Sequence, residues 1–231
     1  MSFTELDTAY MARAIELAKQ GRFTTTPNPN VGCVLVKDGE IVGEGFHQLA
    51  GQGHAEVNAL AVAGDNAKGA TAYVTLEPCS HYGRTPPCAE GLKAAGVSKV
   101  IAAMVDPNPA VSGRGLQILA DAGISVASGL LEQQARDLNK GFLKRMESGL
   151  PYVTCKMACS LDGKTALNNG QSKWITGPKA RQDVQAFRAQ SCAILTGADT
   201  VITDNAKLNV RVDELPFTMP TSLPLRQPTR I

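Results

Sequence analysis

Two short stretches of the sequence contain residue types that bind metal ions. The stretch LEPCSHYGRTPPC, residues 76–88, places Cys79 and Cys88 in and after one loop, and GHAEVNAL upstream contains His54. A zinc site that performs chemistry commonly has three protein ligands and one position open for water. One imidazole with two thiolates is a frequent ligand set. His54, Cys79 and Cys88 therefore form a candidate catalytic zinc site.

Glu56 follows His54 by two positions and is a candidate general acid and base. At that spacing its carboxylate need not bind the metal, but it can reach a water molecule that the metal activates. His-x-Glu followed by Pro-Cys and a second Cys is the signature of zinc deaminases, in which hydroxide attacks a ring carbon bearing an exocyclic amine. The signature usually has two residues between the cysteines, whereas eight separate Cys79 and Cys88.

On the sequence alone, the same residues also fit a structural role. A structural zinc site usually has a fourth protein ligand, which His81 can supply. Cys79 and Cys88 can also form a disulfide, although a reducing compartment disfavours one. His47 fits an exposed loop as well as a pocket. The remaining cysteines are predicted to be small core residues, namely Cys33, Cys155, Cys159 and Cys192.

The composition is that of an ordinary globular protein. Of 231 residues, 43% are apolar and 19% charged, and 23 Lys and Arg nearly balance 21 Asp and Glu. A large nucleic-acid footprint normally takes the form of a basic patch or arm, and the sequence has no run of like charges. It shows neither a signal peptide at the N-terminus nor ~18 consecutive apolar residues. We therefore expect a cytoplasmic protein whose cysteines are free thiols or metal ligands.

Helical and strand patterns alternate around the candidate ligands. Apolar periodicity predicts a helix over residues 8–20, and Asp38-Gly39 predicts a tight turn between two strands. The segments that follow alternate between helix and strand, in the order HAEVNALAVAG, ATAYVTLE, CAEGLKAAG, KVIAAMVD, GRGLQILADAG and ISVASG. This alternation predicts a layered α/β sandwich with helices on both faces of a sheet.

The predicted elements bring the candidate ligands to one edge of that sheet. His54 and Cys88 open predicted helices, and Cys79 lies where a predicted strand ends. The partial positive charge of a helix N-terminus lowers the pKa of a nearby cysteine and favours the thiolate that binds metal. Ligand sites form where strand ends and helix starts converge, which supports the zinc interpretation.

The rest of the chain is predicted to form one more helix and a second, smaller domain. LEQQARDLNKGFLKRM predicts a single helix, and Gly149 and Pro151 mark the domain boundary, which we place between residues 147 and 148. Beyond it, YVTCKMACSLDGKTAL predicts a strand, GPKARQDVQAFRAQS a helix and CAILTG a strand. The proline-rich end predicts an irregular segment, and we expect the second domain to be incomplete.

Several motifs resemble the bifunctional deaminase/reductase family of riboflavin biosynthesis. They are PNPNVGCVLVKDGEIVGEGFH, HAEV, VTLEPCSHYGRTPPC, DPNPAVSGRGL, KMACSLDGKTA, SKWITG and FRAQSCAILTGADTVITDNAKLNVR. The longer cysteine spacing is that family's own variant of the deaminase pattern. The resemblance implies an α/β fold, with a three-layer cytidine-deaminase-like sandwich over residues 1–147. The N-terminal part of a dihydrofolate-reductase-like domain would follow over residues 148–231.

The resemblance also implies two reactions and their cofactors. The deaminase, with zinc, would remove the 2-amino group of a diaminopyrimidinone that carries a ribosylamino 5-phosphate. The reductase would use NADPH to reduce the ribose to a ribityl chain. The family implies a homo-oligomer, a dimer or tetramer. The nearly neutral composition and the lack of a long apolar stretch favour neither a nucleic-acid nor a membrane partner. The sequence has no G-x-G-x-x-G motif, so the nucleotide site cannot be argued from a Rossmann fingerprint.

Matched position by position, the resemblance assigns individual roles. Zinc would be bound by His54, Cys79 and Cys88, with Glu56 as the acid and base. The deaminase substrate would contact Asn28, His81, Arg84, Asp106 and Asn108. NADPH would contact Ala158, Trp174, Thr200 and Asp204. The reductase substrate would contact Ser172, Arg188, Leu208 and Arg211.

Two other functions are compatible with the metal-site pattern alone. One is a zinc deaminase that acts on another nucleobase, a free nucleoside or tRNA. The short cysteine spacing of those enzymes is missing here, as is the basic surface expected for tRNA. The other is a non-catalytic module stabilised by zinc, in which Glu56 would have no role as a base.

Overall fold

A computed structural model describes residues 2–82, 86–109, 111–216 and 223–231. The chain forms two compact units, Met1–Tyr152 (unit 1) and Val153–Ile231 (unit 2). Unit 1 contains α1 (Glu5–Lys19), β1 (Gly32–Lys37), β2 (Glu40–Phe46), α2 (Ala55–Ala63), β3 (Thr71–Val74), α3 (Cys88–Ala94), β4 (Lys99–Ala102), α4 (Arg114–Asp121), β5 (Ser125–Ser128), α5 (Glu132–Leu138) and α6 (Lys140–Ser148). Unit 2 contains α7 (Pro178–Gln190), β6 (Ala193–Ile194), α8 (Ala198–Asp204) and β7 (Thr229–Arg230). The boundary predicted between residues 147 and 148 falls within α6.

Unit 1 is built on a five-stranded sheet with the order β2-β1-β3-β4-β5. β1 pairs antiparallel with β2 and with β3, whereas β3, β4 and β5 run parallel. In the parallel part, Val74 at the end of β3 pairs with Ala102 at the end of β4. The segments that follow these two strands therefore leave the sheet side by side, at the edge where ligand sites form in α/β folds.

Helices cover both faces of this sheet, which confirms the predicted three-layer sandwich. On one face, α1 and α6 bury Met11 and Leu143 in a common core. On the other face, Ala59 of α2, Leu92 of α3 and Leu119 of α4 form a second core. No helix in the described ranges is both long and apolar enough to cross a membrane.

Small residues allow α2 to lie close against β2. Ala55, Ala59 and Ala63 of the helix are buried. Opposite them, Gly45 leaves so little space that a Cβ would lie 2.5 Å from the carbonyl oxygen of Ala55. A larger residue would therefore push the helix away from the sheet, and this close contact fixes the start of α2, where His54 lies.

Local sequence explains the first helix and the hairpin. α1 begins at Glu5 rather than at residue 8, because Thr4 and Asp7 form a reciprocal capping box. Asp38 and Gly39 have φ angles of 51° and 82°. Such left-handed conformations are typical of a two-residue hairpin turn, and the predicted hairpin is confirmed.

Three predictions of secondary structure are wrong, and the first concerns the proline-rich end, where Thr229–Arg230 forms strand β7 rather than part of an irregular segment. Residues 131–146 form parts of two helices rather than one, because Asn139 between them binds the chain elsewhere, accepting a hydrogen bond from the backbone N–H of Asn30 at 2.7 Å. Residues 152–167 form no strand and are mostly exposed. The strands described in unit 2, β6 and β7, pair with each other. An alternating pattern without a neighbouring strand leaves its backbone groups unpaired, so it does not produce a strand.

The cysteines divide between the two units. Cys33 is buried in the core of unit 1, as predicted. The prediction that Cys155, Cys159 and Cys192 are core residues is wrong, since all three are exposed. They lie in unit 2, where Cys155 and Cys159 belong to a mostly exposed segment, residues 153–160, that does not pack into a core.

Candidate active site

The three candidate metal ligands meet at the sheet edge where α2 and α3 begin. His54 is the N-cap of α2, Cys88 is the first residue of α3, and Cys79 lies in the loop after β3. One potential ligand atom from each residue lies within 4.8 Å of the other two. Among the described residues, no other His, Cys, Asp or Glu belongs to this cluster.

The distances within the cluster fit a zinc ion. Nδ1 of His54 lies 3.2 Å from Sγ of Cys88 and 3.5 Å from Sγ of Cys79. Zinc bonds of about 2.1 Å to nitrogen and about 2.3 Å to sulfur place tetrahedral ligands roughly 3.6 Å apart. Imidazole and thiolate are also donors that zinc prefers. The cluster can therefore hold zinc with three protein ligands.

Hydrogen bonds favour a thiolate at Cys79. The backbone N–H of Cys88 donates to Sγ of Cys79 at 3.2 Å, and Nδ1 of His54 lies 3.5 Å from the same sulfur. The neighbouring thiol of Cys88, together with these contacts, lowers the pKa of Cys79 despite its burial. The same thiol contact raises the pKa of Cys88. The backbone amide of Cys88, at the start of α3, thus stabilises the thiolate of Cys79 and not a thiolate on Cys88 itself.

Glu56 lies in the first turn of α2 and lines the cavity beside the cluster. Its side chain is almost fully buried, at 3% exposure. Burial raises the pKa of Glu56 to about 7, and the negative charge of Cys79 contributes to the increase. A carboxyl group with such a pKa can both accept and donate a proton near neutral pH.

The two structural alternatives for the cysteine loop do not match the geometry. His81 is exposed and does not belong to the cluster of ligand atoms, so no fourth ligand comes from it. Cys79 and Cys88 are free thiols rather than a disulfide. The three-residue cluster beside a buried carboxyl group corresponds to the open type of metal site.

A cavity of about 350 Å³ adjoins the cluster. Four residues predicted to contact the deaminase substrate line it, namely Asn28, His81, Asp106 and Asn108. The fifth, Arg84, lies outside the described residues. Asp106 accepts a hydrogen bond from the backbone N–H of Asn108 at 2.8 Å, and burial raises the pKa of its carboxyl group.

His47, whose place the sequence left open, is buried in the cavity wall at 3% exposure. Nδ1 of His47 lies 3.1 Å from the carbonyl oxygen of Gly53, and Nε2 lies 3.0 Å from Nδ2 of Asn28. Burial lowers the pKa of His47 and favours the neutral ring. The neutral ring then donates from Nδ1 to Gly53 and accepts at Nε2 from the amide group of Asn28.

Sequence reasoning missed part of the cavity wall, namely Glu77, Val111, Phe142, Arg145 and Met146. Three of them lie on α6, and only the break at Asn139 separates that helix from α5. The amphipathic pattern of α6 contains no signal for a cavity. Glu77 lies two residues before Cys79, a candidate metal ligand, and this position could have indicated that Glu77 lies near the cavity.

The residues of unit 2 assigned to the cofactor lie mostly at its surface. Trp174 is 71% exposed, with the guanidinium of Arg181 4.5 Å from the centre of its ring. Asp204 forms an ion pair with Lys173, the neighbour of Trp174, at 2.9 Å. Thr200 is also exposed. Because Lys173 is adjacent to Trp174 in the chain, its ion pair with Asp204 brings Trp174 and Asp204 to one region. Ala158 is half-buried.

Three of the four residues assigned to the reductase substrate, Arg188, Leu208 and Arg211, lie on or beside one segment. Arg188 of α7 donates from Nη1 to the backbone carbonyl of Asn209 at 2.9 Å. Burial, together with the positive charge of Arg211, lowers the pKa of Arg188. The structure therefore brings Arg188 and Arg211 to the segment that contains Leu208. Ser172 is exposed beside the Lys173–Asp204 ion pair.

Two domain models match the chain in sequence order. Residues 4–104 match the cytidine and deoxycytidylate deaminase zinc-binding region. Residues 151–231 match the RibD C-terminal domain. The first match contains the three candidate metal ligands, and the second covers unit 2.

Relatives with similar sequences and structures cover nearly the whole chain. In an alignment of 234 positions, which covers 100% of this chain and 63% of the relative, it is 62% identical to the riboflavin biosynthesis protein RibD of Haemophilus influenzae. RibD of Acinetobacter baumannii, form 1, has a TM-score of 0.91 and 59% identity, over 98% of this chain and 62% of that one.

A diaminohydroxyphosphoribosylaminopyrimidine deaminase/5-amino-6-(5-phosphoribosylamino)uracil reductase from Thermotoga maritima has a TM-score of 0.87 and 42% identity. It matches 97% of this chain and 62% of its own length. The chain thus spans less than two thirds of the length of these relatives. The family resemblance of the motifs is confirmed, and the chain belongs to the RibD family of riboflavin biosynthesis proteins.

Proposed function

We propose that unit 1 is a hydrolytic deaminase that acts on 2,5-diamino-6-(5-phosphoribosylamino)pyrimidin-4-one. The observation that carries the proposal is the position of Glu56, which is buried beside the cluster of His54, Cys79 and Cys88 and lines the same cavity as His54 and Cys79. A purely structural metal site has no need of such a carboxyl group. The name of the Thermotoga maritima relative, which states both reactions, supports the substrate class.

The residues of the chain supply the proton transfers of this reaction. Zinc bound by the three ligands would act as a Lewis acid and make a water molecule a better nucleophile at neutral pH. Glu56 accepts a proton from the attacking water and delivers a proton to the amino group at C2. A carbon–oxygen bond forms, the carbon–nitrogen bond breaks, and ammonia leaves. The pKa of Glu56, about 7, suits both transfers.

Polar residues around the cavity would hold the substrate ring and its ribosyl phosphate. Asn28 gives its amide hydrogen to His47, which leaves its carbonyl oxygen as an acceptor for a pyrimidine amino group or N–H. Asp106, Asn108, His81 and, outside the described residues, Arg84 would complete the substrate contacts.

The test is ammonia release from this diaminopyrimidinone by the zinc-loaded chain, with cytidine, guanine and tRNA as alternative substrates. We expect release from the diaminopyrimidinone, and mass spectrometry should show a carbonyl in place of the 2-amino group. Release from one of the other substrates alone would instead support a different zinc deaminase. No release from any of them, in folded protein that contains zinc, would favour the non-catalytic module.

We further propose that unit 2 supplies residues for NADPH and for the ribosyl substrate of the reduction. The match to the RibD C-terminal domain supports this role. Arg188 and Arg211, the two arginines beside the segment that contains Leu208, also support it, because guanidinium groups bind phosphate well. NADPH titration followed by nicotinamide fluorescence tests the cofactor part. Saturable binding that Trp174→Ala weakens supports it, and the absence of binding contradicts it for this chain.

A further inference from the structure

A buried carboxyl group, Glu77, binds four backbone amides from another part of the chain. Its side chain is 3% exposed. Oε2 accepts hydrogen bonds from the N–H groups of Asp106 at 3.1 Å and Gly113 at 2.8 Å. Oε1 accepts hydrogen bonds from the N–H groups of Gly115 at 2.9 Å and Leu116 at 3.3 Å. Both oxygens therefore act as acceptors for backbone donors.

These amides belong to the substrate side of the cavity and to the start of α4. Asp106 lines the cavity, and its carboxylate in turn binds the N–H of Asn108. Gly113 is the N-cap of α4 and has no side chain to bind the free amides of the first turn. Glu77 supplies the acceptor that this helix start lacks. One side chain thus joins the loop after β4 to α4.

The same helix start lies against the chain beside Glu77. A Cβ at Gly115 would lie 1.9 Å from the carbonyl oxygen of Pro78, so no side chain fits there. Cys79 follows Pro78 directly. The segment Glu77–Cys79, the loop at Asp106 and the first turn of α4 therefore form one packed junction.

We propose that Glu77 is a positioning residue of the deaminase, which holds Asp106 and Asn108 in place for the substrate. The inference rests on the proposed function of unit 1. The oxygens of Glu77 are engaged by backbone amides, so it acts through the loop rather than by contact with the substrate. Glutamine has the same shape, but its NH₂ group would face two N–H donors and could accept from neither.

The first experiment compares Glu77→Gln with Asp7→Asn in the 231-residue chain. Asp7 is also a buried carboxyl group that accepts from a backbone N–H, but it lies on α1 and does not line the cavity. We expect both variants to melt at a lower temperature. Glu77→Gln should raise the KM for the diaminopyrimidinone by about tenfold or more, with kcat within about threefold of wild type, because it removes binding common to ground and transition states.

In this comparison zinc content and the control decide the interpretation. Glu77→Gln should keep the zinc content of wild type, and Asp7→Asn should keep the KM of wild type. A folded Glu77→Gln variant with an unchanged KM would overturn the inference. Loss of zinc from that variant would also overturn it, because Glu77 would then serve the metal ligands rather than the substrate loop.

A pair of glycine variants gives a milder test, which also applies if Glu77→Gln does not fold. Gly113 and Gly123 flank α4, both have a φ of 80°, and a Cβ at either position meets no atom within 4 Å. Alanine keeps the backbone N–H and strains the backbone equally at both positions. Of the two glycines, only Gly113 donates its N–H to Glu77, so only there does the strain act on a bond to Glu77. We expect similar losses of melting temperature and a raised KM in Gly113→Ala alone. Equal KM values in the two variants would contradict the inference.

Amide hydrogen exchange tests the role of Glu77 without relying on deaminase activity, so it can fail or succeed independently of the proposed function. If the wild-type chain releases no ammonia, the proposed function fails, and exchange at residues 106–116 still tests the role of Glu77. Faster exchange of the four bound amides in Glu77→Gln, with wild-type rates in Asp7→Asn, supports the role. Unchanged protection in Glu77→Gln would refute it.

Discussion

Nε2 of His47 lies 3.0 Å from Nδ2 of Asn28, and this contact orients the amide of Asn28 in the cavity wall. The opposite ring nitrogen of His47 faces the carbonyl oxygen of Gly53 at 3.1 Å, which requires a hydrogen on Nδ1. Nε2 is then an acceptor, so the NH₂ group of Asn28 must point to His47. The carbonyl oxygen of Asn28 is thereby directed away from the ring.

Replacing His47 should therefore weaken substrate binding through Asn28. His47→Phe keeps a ring next to His54, whose imidazole centre lies 5.4 Å away, but removes the acceptor. We expect a KM about tenfold higher, equivalent to one hydrogen bond of roughly 1.4 kcal/mol, with zinc retained. A double-mutant cycle with Asn28→Ala measures the coupling, and strictly additive effects of the two changes would refute it.

Single ligand variants should lose the metal. We expect Cys79→Ser and Cys88→Ser to retain much less zinc than wild type after dialysis against a weak chelator, because each removes one of three protein ligands. Inductively coupled plasma mass spectrometry gives the zinc content per chain. Cys159→Ser, at an exposed cysteine of unit 2, is the matched control and should keep the wild-type content. Full zinc occupancy in both ligand variants would contradict the site.

Arg145 should contribute to recognition of the substrate phosphate. It is the only arginine or lysine among the described residues that line the cavity. We expect Arg145→Gln to raise the KM of the phosphorylated substrate by about tenfold or more, as for the loss of a charge-assisted hydrogen bond. The KM of the dephosphorylated substrate should change little. Lys144→Gln, at an exposed neighbour that does not line the cavity, is the control, and equal losses for both substrates in Arg145→Gln would be inconsistent with phosphate recognition.

Asp7 should make the stability of the protein depend on acid pH. Burial alone would raise its pKa, but hydrogen bonds from Thr4 and Tyr73 outweigh burial and lower the pKa below the ordinary value of 3.8. A lowered pKa in the folded state stabilises the protein above the pKa of the unfolded state. That stabilisation is lost as the pH falls through the folded-state pKa.

Asp7→Asn should accordingly reduce the free energy of unfolding at pH 7 by about 1–3 kcal/mol, and the difference from wild type should shrink below pH 4. Urea unfolding followed by circular dichroism at several pH values measures this difference. Asp65→Asn, at an exposed position, should cost little at any pH. A difference between Asp7→Asn and wild type that stays constant down to pH 2 would exclude the carboxylate as its source.

The sequence predicts the sheet, its covering helices and the grouping of His54, Cys79 and Cys88, because each follows from local periodicity and short spacing. It does not predict contacts that depend on distant segments. Asn139 ends a helix because it binds Asn30, 109 positions earlier. That break starts the helix that carries Phe142 and Arg145 to the cavity wall. The strand predicted over residues 152–167 fails for the same reason, since a strand requires a partner that its own sequence does not specify.

The most direct test of the account is ammonia release by wild type and by Glu56→Gln, each loaded with zinc to the same content. Glutamine has the shape of glutamate but cannot take up or return the proton. We expect wild type to release ammonia from the diaminopyrimidinone and Glu56→Gln to turn over at least about 10²-fold more slowly with its zinc retained. Turnover by Glu56→Gln at the wild-type rate would contradict the assignment of Glu56 as the acid and base of this site.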